Sequence, residues 1–301
     1  MTDAMTGELR IDFPTYLADP APEPSLSRGG IVQLINGSPA KAWWNHPRLN
    51  PDYPKEERDE SKFDPGKAAH NLLLEGGNNI TVIAGFDNWK KDDAKDKRAA
   101  AWKEGIIPLL TKQFDVVSAM AEAARVQILN CEELGVSDLP TEGTAELTFI
   151  WQEKNGVWCR IRPDWIRNDR TLLLDYKTSG TSANPDDFAG HMGKMDYPIQ
   201  SAFYRRGVSA VTGVEDPEFV IIAQEDEPPY LCSFMGIDLQ HEDMAQEKVR
   251  FAIRLFGHCL KSGKWPGYPK RVCYAEPKPW DVLQWASRKY ALEELLNGMD
   301  A

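Results

Sequence analysis

Cysteine is scarce in this chain. Five stand among 301 residues, Cys131, Cys159, Cys232, Cys259 and Cys273, with no Cys-x-x-Cys spacing. That argues against a zinc ribbon, and the odd count in a long chain argues against a disulfide framework. An iron–sulfur cluster needs four thiolates, and Cys131, Cys232, Cys259 and Cys273 would supply them only by coincidence of fold. Reduced, mostly buried thiols are expected. Long apolar runs are also missing: nothing approaches the ~20 residues that span a bilayer. The opening MTDAMTGELRIDFPTYLADPAPEP has no basic start followed by an apolar core, so it does not read as a signal peptide. A cytoplasmic protein without membrane contact is expected. Positive charge is in deficit, with 35 Lys/Arg against 46 Asp/Glu and a net charge of −11. Adhesion of the whole surface to nucleic acid is disfavoured, whereas a local basic channel is not.

What is present is the composition of a soluble globular protein, 42% hydrophobic and 27% charged, long enough for one large domain or two ordinary ones. Residues 1–24, rich in Pro, Asp and Ala, suggest a loose arm. A main body is expected over 25–270 and a helical tail over 271–301. SLSRGGIVQLINGSPAKAWWNHP reads as a helix stopped by Gly37 and restarted at Ser38-Pro39. DPGKAAHNLLLEGG is a second helix, capped by Asp64 and ended by Gly76-Gly77, with His70 at its middle. NNITVIAG looks like a strand, and the helical spacing of apolar residues predicts a long helix from Asp115 to Glu133. Three strands follow between Ala145 and Ser179, with hairpin signals at Asn155-Gly156 and Asn168-Asp169. DYPIQSAFYRRGVSAV is a helix, EFVIIAQED and YLCSFMGIDL are strands, and a last long helix runs from about Glu242 to Ser262. The order predicts an α/β fold with a mixed central β-sheet flanked by helices.

The segment RIRPDWIRNDRTLLLDYKTS, Arg160 to Ser179, sets acids among sheet residues. Acidic side chains are poor strand formers and costly to bury unpaired. With a turn over Arg167–Arg170, Ile166 would face Thr171 and position 164 would face 173. Side chains alternate along a strand, so 173, 175 and 177 share that face. Asp164, Asp175 and Lys177 then project together, the two carboxylates as diagonal neighbours roughly 7 Å apart at Cβ. Carboxylates that close repel unless a proton or cation lies between them. Hard oxygen donors on a rigid sheet suit Mg²⁺ or Mn²⁺, which keep several waters and take phosphate oxygens. A lysine beside them can orient or deprotonate an attacking water and support developing negative charge. This is a constellation for phosphodiester hydrolysis. No Ser or Cys has an obvious base partner for carbonyl chemistry.

Pro163-Asp164 followed by Asp175-Tyr176-Lys177 is a literal PD…(D/E)XK motif. It is accompanied, in order, by GKAAHNLLLEG, AELTFIWQEKNGVWCRIRPDWI, LLLDYKTS, YPIQSAFYRRG, EDEPPY and CLKSGKWPGY. Together, from about Ser25 to Pro269, these segments resemble the PD-(D/E)XK nuclease superfamily and, within it, the phage and prophage exodeoxyribonuclease VIII family. The resemblance implies a restriction-endonuclease-like core and metal-dependent degradation of linear duplex DNA from 5′ ends, leaving 3′ single strands for recombination. It implies that His70, Asp164, Asp175 and the Tyr176 carbonyl bind Mg²⁺ or Mn²⁺ and that Lys177 is catalytic. Gln200 and Tyr204 match a Q-x-x-x-Y motif beside the site, and their i, i+4 spacing puts both on one helix face. Glu146 matches an upstream acid. A two-residue Asn155-Gly156 turn, however, pairs 146 with 165 and turns it away from Asp164; a loop one residue longer, or a bulge, would pair it with 164. The second acid is Asp175 where many superfamily members have Glu. The implied partners are double-stranded DNA ends, a single-strand annealing recombination protein, and further copies of the chain in a ring.

Between Trp158 and Arg206, eight Lys/Arg oppose six Asp/Glu. On this local excess, Arg160, Arg162, Arg205 and Arg206 are expected to clamp phosphates. KKDDAKDKR is expected to be a solvated loop in which Lys97 and Arg98 could touch DNA. Trp43, Trp44 and Trp89 could stack on unpaired bases. The alternatives to an exonuclease are an endonuclease or flap and end-trimming nuclease of the same superfamily, and a non-catalytic DNA-end-binding scaffold.

Overall fold

The computed structural model describes residues 5–53 and 65–299. In chain order, β1 (Gly7–Leu9), α1 (Phe13–Leu17), β2 (Ser25–Leu26), α2 (Arg28–Asn36) and α3 (Pro39–Trp44) precede α4 (Pro65–Leu74). Next come β3 (Ile80–Ile83), α5 (Asp92–Lys103), β4 (Ile107–Leu110), α6 (Thr111–Leu129) and α7 (Leu139–Glu142). Five strands follow: β5 (Gly143–Ala145), β6 (Thr148–Gln152), β7 (Trp158–Ile161), β8 (Trp165–Arg167) and β9 (Leu172–Ser179). The chain continues through α8 (Pro185–Lys194), α9 (Tyr197–Thr212), β10 (Glu218–Glu225), β11 (Cys232–Met235), α10 (Leu239–Ser262) and α11 (Pro279–Met299). Among the described residues, no helix is long and apolar enough to cross a membrane.

Local chemistry accounts for most boundaries. Ser27 and Ser38 cap α2 and α3, accepting hydrogen bonds from the Gly30 and Lys41 N–H groups, and Pro39 fits the first turn. The Asp64 cap expected for α4 lies outside the described residues. The charge run at 90–98 is not a loop; from Asp92 on it forms α5. Asp92 and Asp93 complement the positive end of that helix dipole, Lys103 complements the negative end, and an Ala99–Ala101 stretch favours helix.

Of the expected 145–179 meander, the first two strands form one long, bent hairpin shared between two sheets, and the third is β9. The hairpin's far half is β6 and β7, in a four-stranded sheet ordered β1-β6-β7-β2. Its near half is β5 and β8, in a mixed five-stranded sheet ordered β11-β10-β9-β8-β5, whose β9 and β10 run parallel. The turn between β6 and β7 is not the two-residue type. The Gly156 N–H donates to the Glu153 carbonyl and Glu153 N–H to that of Val157, so the loop holds three residues. Gly156, at φ 88°, supplies the left-handed position that such a turn followed by a bulge requires. The extra residue changes the parity: Phe149 faces Ile161, and the Glu146 N–H donates to the Asp164 carbonyl at 3.0 Å.

Residues 5–26 are not a loose arm. β1 pairs with β6, Gly7 facing Ile150, and β2 runs parallel to β7, Ser25 facing Trp158. β4, unmarked in sequence because Pro108 interrupts its apolar run, pairs in parallel with β3. Along β9 and β10 the side chains alternate between two cores. Leu173, Phe219, Ile221 and Ala223 join a cluster with α2, α9 and α10. Leu172, Leu174, Tyr176, Val220 and Ile222 join another with α4 and α6. A strand covered on both faces reads as a continuous apolar run, which explains LLLDYK.

Met1–Pro266 forms one compact unit. Gly267–Ala301 forms a second unit, whose helix α11 buries no side chain.

Candidate active site

β8 and β9 are slipped by two residues from the simplest turn: Ile166 faces Leu173 and Trp165 faces Leu174. A slip of two preserves parity, and continuing the register puts position 164 directly across from 175 rather than diagonal to it. The ladder stops at Trp165, and the Asp164 carboxylate takes over, accepting from the Tyr176 N–H at 2.9 Å. Asp164, Asp175 and Lys177 meet on one face. Lys177 Nζ lies 2.5 Å from Asp175 Oδ2 and 3.5 Å from Asp164 Oδ2, and donates to the Tyr176 carbonyl at 3.4 Å.

His70 reaches these acids from α4 at the bend of the hairpin. Its Nε2 lies 3.4 Å from Glu146 Oε1 and 3.6 Å from Asp164 Oδ2. Close approach of α4 to β9 depends on Gly66: a Cβ there would sit 2.2 Å from Thr178 Oγ1. Glu146 adopts φ 56° at the switch between sheets and is held by Arg162, whose Nη1 also donates to the Ile11 carbonyl at 2.6 Å. The N-terminal segment thus braces the site through Arg162. On α9, Gln200 Nε2 donates to Asp175 Oδ1 at 2.6 Å. Tyr204, one turn on, is buried edge-on to Phe219 at 6.1 Å.

Electrostatics divide the two central acids. Burial alone would raise Asp164, but Lys177, His70 and the Tyr176 N–H outweigh it and hold the carboxyl well below the usual range. Burial, then the Asp164 charge, push Asp175 up to about 6 against the pull of Lys177. Burial would lower His70, yet its contacts with Asp164 and Glu75 and the charges of Asp164 and Glu146 raise it to about 10. Burial likewise opposes the Lys177 charge, and Asp175 and Asp164 more than restore it. Protons on His70 and Lys177 therefore balance the converging carboxylates, a balance that a divalent cation also provides. The donor set fits such an ion. Carboxylate oxygens and a backbone carbonyl are hard ligands and a neutral imidazole a borderline one, and the buried Asp175 Oδ2 has the Lys177 ammonium beside it at 2.5 Å, where a cation is accepted.

Sequence reasoning missed Glu75. Its Oε1 lies 3.5 Å from His70 Nδ1, the ring atom opposite the acids, and one ligand atom each from His70, Glu75 and Glu146 fall within 4.8 Å of one another. A carboxylate there orients the imidazole and raises its basicity. The only sequence signal was its place five residues after His70, at the end of the same helix.

The four arginines expected to clamp phosphates are engaged internally. Arg160 is buried, with Nη1 bonded to the Ser25 carbonyl and hydroxyl and 3.2 Å from Asp19. Arg162 holds Glu146. Arg205 contacts Asp216 and Glu242, and Arg206 grips Glu153 with two nitrogens. Arg160 and Arg162 brace the sheet against the N-terminal segment, whereas Arg206 stays exposed and lines an open pocket with Arg205 and Arg250.

A mixed sheet with helices on both faces, carrying this motif in this geometry, defines a PD-(D/E)XK nuclease-type enzyme. Residues 50–276 match the family described as a PDDEXK-like domain of unknown function, and the chain belongs to that family. A candidate exonuclease from Eubacterium rectale, known from its crystal structure, superposes with a TM-score of 0.53. It is 14% identical over 91% of this chain and 98% of its own, so the likeness concerns the fold. An alkaline exonuclease from Laribacter hongkongensis aligns over 64% of this chain and 97% of its own at 12% identity; its TM-score of 0.26 carries no weight. No curated protein matches the chain.

Proposed function

We propose that this protein is a divalent-metal-dependent exodeoxyribonuclease that degrades linear duplex DNA from 5′ ends and leaves 3′ single strands for recombination. The observation that carries this reading is the convergence of Asp164, Asp175 and Lys177 on one face, within 3.5 Å of the lysine nitrogen, with His70 and Glu146 facing Asp164 and each other.

His70, Asp164, Asp175 and the Tyr176 carbonyl would hold the metal, Mg²⁺ or Mn²⁺. When bound, it supplies Lewis-acid stabilisation of phosphate charge and a water of lowered pKa. The chain's own residues do the rest. Lys177, kept cationic by the two acids, positions the attacking water and supports charge on the phosphate oxygens. Gln200 fixes the Asp175 carboxylate by its hydrogen bond, and Tyr204, one turn further along α9, is buried against Phe219. Glu75 holds His70 from the far side, and Arg162 holds Glu146. Double-stranded DNA ends, a single-strand annealing protein and a ring of like subunits complete the proposal; a ring would retain DNA on a chain of net charge −11.

The test is digestion, in Mg²⁺, of end-labelled linear duplex beside covalently closed circles. Loss of 5′ label first, with intact circles, is expected; cutting of the circles would overturn the exonuclease reading in favour of an endonuclease.

A further inference from the structure

Outside the catalytic cluster, four cation–aromatic contacts gather on one stretch of surface. Lys67 Nζ lies 5.4 Å from the Trp102 ring centre, and Lys91 and Lys97 lie 6.0 and 5.2 Å from that of Phe86. The Arg98 guanidinium carbon lies 5.0 Å from the Trp89 ring centre. Four such contacts fall between 67 and 102. Phe86 and Trp89 belong to neither core cluster. They are half-buried aromatic residues kept at the surface, where cations cover them and the core gains nothing. Residues 84–103 carry six Lys/Arg against four Asp in a chain that is acidic as a whole. Lys90, Lys91, Lys97 and Lys103 are exposed.

The position of this surface relates it to the site. Lys67 precedes His70 by three residues on α4, so the two lie about one helical turn apart on the same side. From Trp102, which Lys67 touches, back to Lys91, the surface extends about 16 Å along α5. A track of alternating rings and cations thus begins one turn from the histidine that faces the catalytic acids.

We infer that the α4–α5 surface grips unpaired DNA beside the active site. The inference rests on the DNA-hydrolysis reading and adds to it where the unpaired strand lies. Duplex DNA presents phosphates and groove edges, which cations alone serve. Ring faces and guanidinium planes are useful to bases out of the stack, and lysines interleaved with them neutralise the intervening phosphates. Exonucleolytic removal of one strand leaves the other unpaired at the junction, one turn from where this surface begins.

Fluorescence anisotropy tests the grip in EDTA, where hydrolysis cannot intervene, using labelled dT₂₀ and a blunt duplex of equal length. Lys91→Glu/Lys97→Glu changes two exposed positions. It is expected to weaken dT₂₀ binding at least about tenfold and to flatten the log–log salt slope by about 1.4 or more, with less than twofold change for the blunt duplex. Trp89→Ala leaves the charge unaltered and is expected to cost dT₂₀ about fivefold or more; equal melting temperatures separate lost contact from lost fold. Unchanged dT₂₀ affinity in the charge-reversed protein, or equal losses on both DNAs, would overturn the grip. Wild-type protein that shows this single-strand preference yet hydrolyses no DNA in Mg²⁺ would sink the nuclease reading alone and leave the grip supported.

Discussion

The guanidinium groups of Arg160, Arg162, Arg205 and Arg206 each meet an acid of the same chain, whereas the cations of Lys91, Lys97 and Arg98 lie over aromatic rings at the surface. Both groups are dense in sequence, and the first stands closer to the motif. The difference lies in the elements that carry them. Arg160 and Arg162 project from a strand and its bend, between the sheet and the N-terminal segment, where only paired charges are tolerated. The lysines of α5 project from a helix with little apolar surface to hide. Local charge excess therefore says that cations are needed nearby, not that they face a ligand. The arginines of the first region pair with its acids, whereas Lys91, Lys97 and Arg98 of the second cover aromatic rings.

The largest expected effect lies at the acids. Asp175→Ala removes a buried carboxylate from the site and is expected to lower the Mg²⁺-dependent rate about 10³-fold or more, measured by single-turnover digestion. Arg160→Met breaks the contrast from the other side. Removing one partner of a buried pair costs about 3–5 kcal/mol, so denaturant unfolding should register a large loss of stability, whereas Lys91→Glu/Lys97→Glu should unfold like wild type. If Arg160→Met instead kept wild-type stability and lost DNA affinity, the assignment of the two regions would be reversed.

Glu75→Gln is expected to be smaller, about 10–100-fold in metal affinity or rate, with activity partly restored by raising the Mg²⁺ concentration. A pH dependence is also expected in the first region. Burial, opposed by Asp19 and aided by Arg160, depresses His46 to about 4 from its ordinary 6.5. The unfolded chain then binds more protons than the folded one between those values, so stability is full above about pH 6.5 and is lost as pH falls toward 4. Thermal melts of wild type and His46→Asn across that range check it: the wild-type slope should be steeper.

Much of the site was legible because face parity survives errors of register. The β8–β9 pairing differs by two residues from the simplest turn, yet Asp164, Asp175 and Lys177 still share a face. Glu146 lacked that protection. Its orientation depends on whether the Asn155-Gly156 turn has two or three residues, and both turns favour the same dipeptide with Gly156 left-handed. The N-terminal strands were hidden by their length, three residues in β1 and two in β2, too short to show alternation. α5 was hidden by its charges, since it lacks the apolar stripe that marks a packed helix. Glu75 and the arginine partners were scarcely legible, because each depends on a contact between segments distant in the sequence or on side-chain direction around a helix end.

The central claim is that Lys177 acts on a phosphodiester held beside Asp164 and Asp175. Single-turnover hydrolysis of end-labelled linear duplex in Mg²⁺, comparing wild type with Lys177→Ala at saturating protein, tests it most directly. A rate lowered about 10²–10³-fold, with DNA binding within twofold and the wild-type rate abolished by chelator, is the predicted result. Equal hydrolysis by the two proteins, or hydrolysis indifferent to chelator, would contradict it.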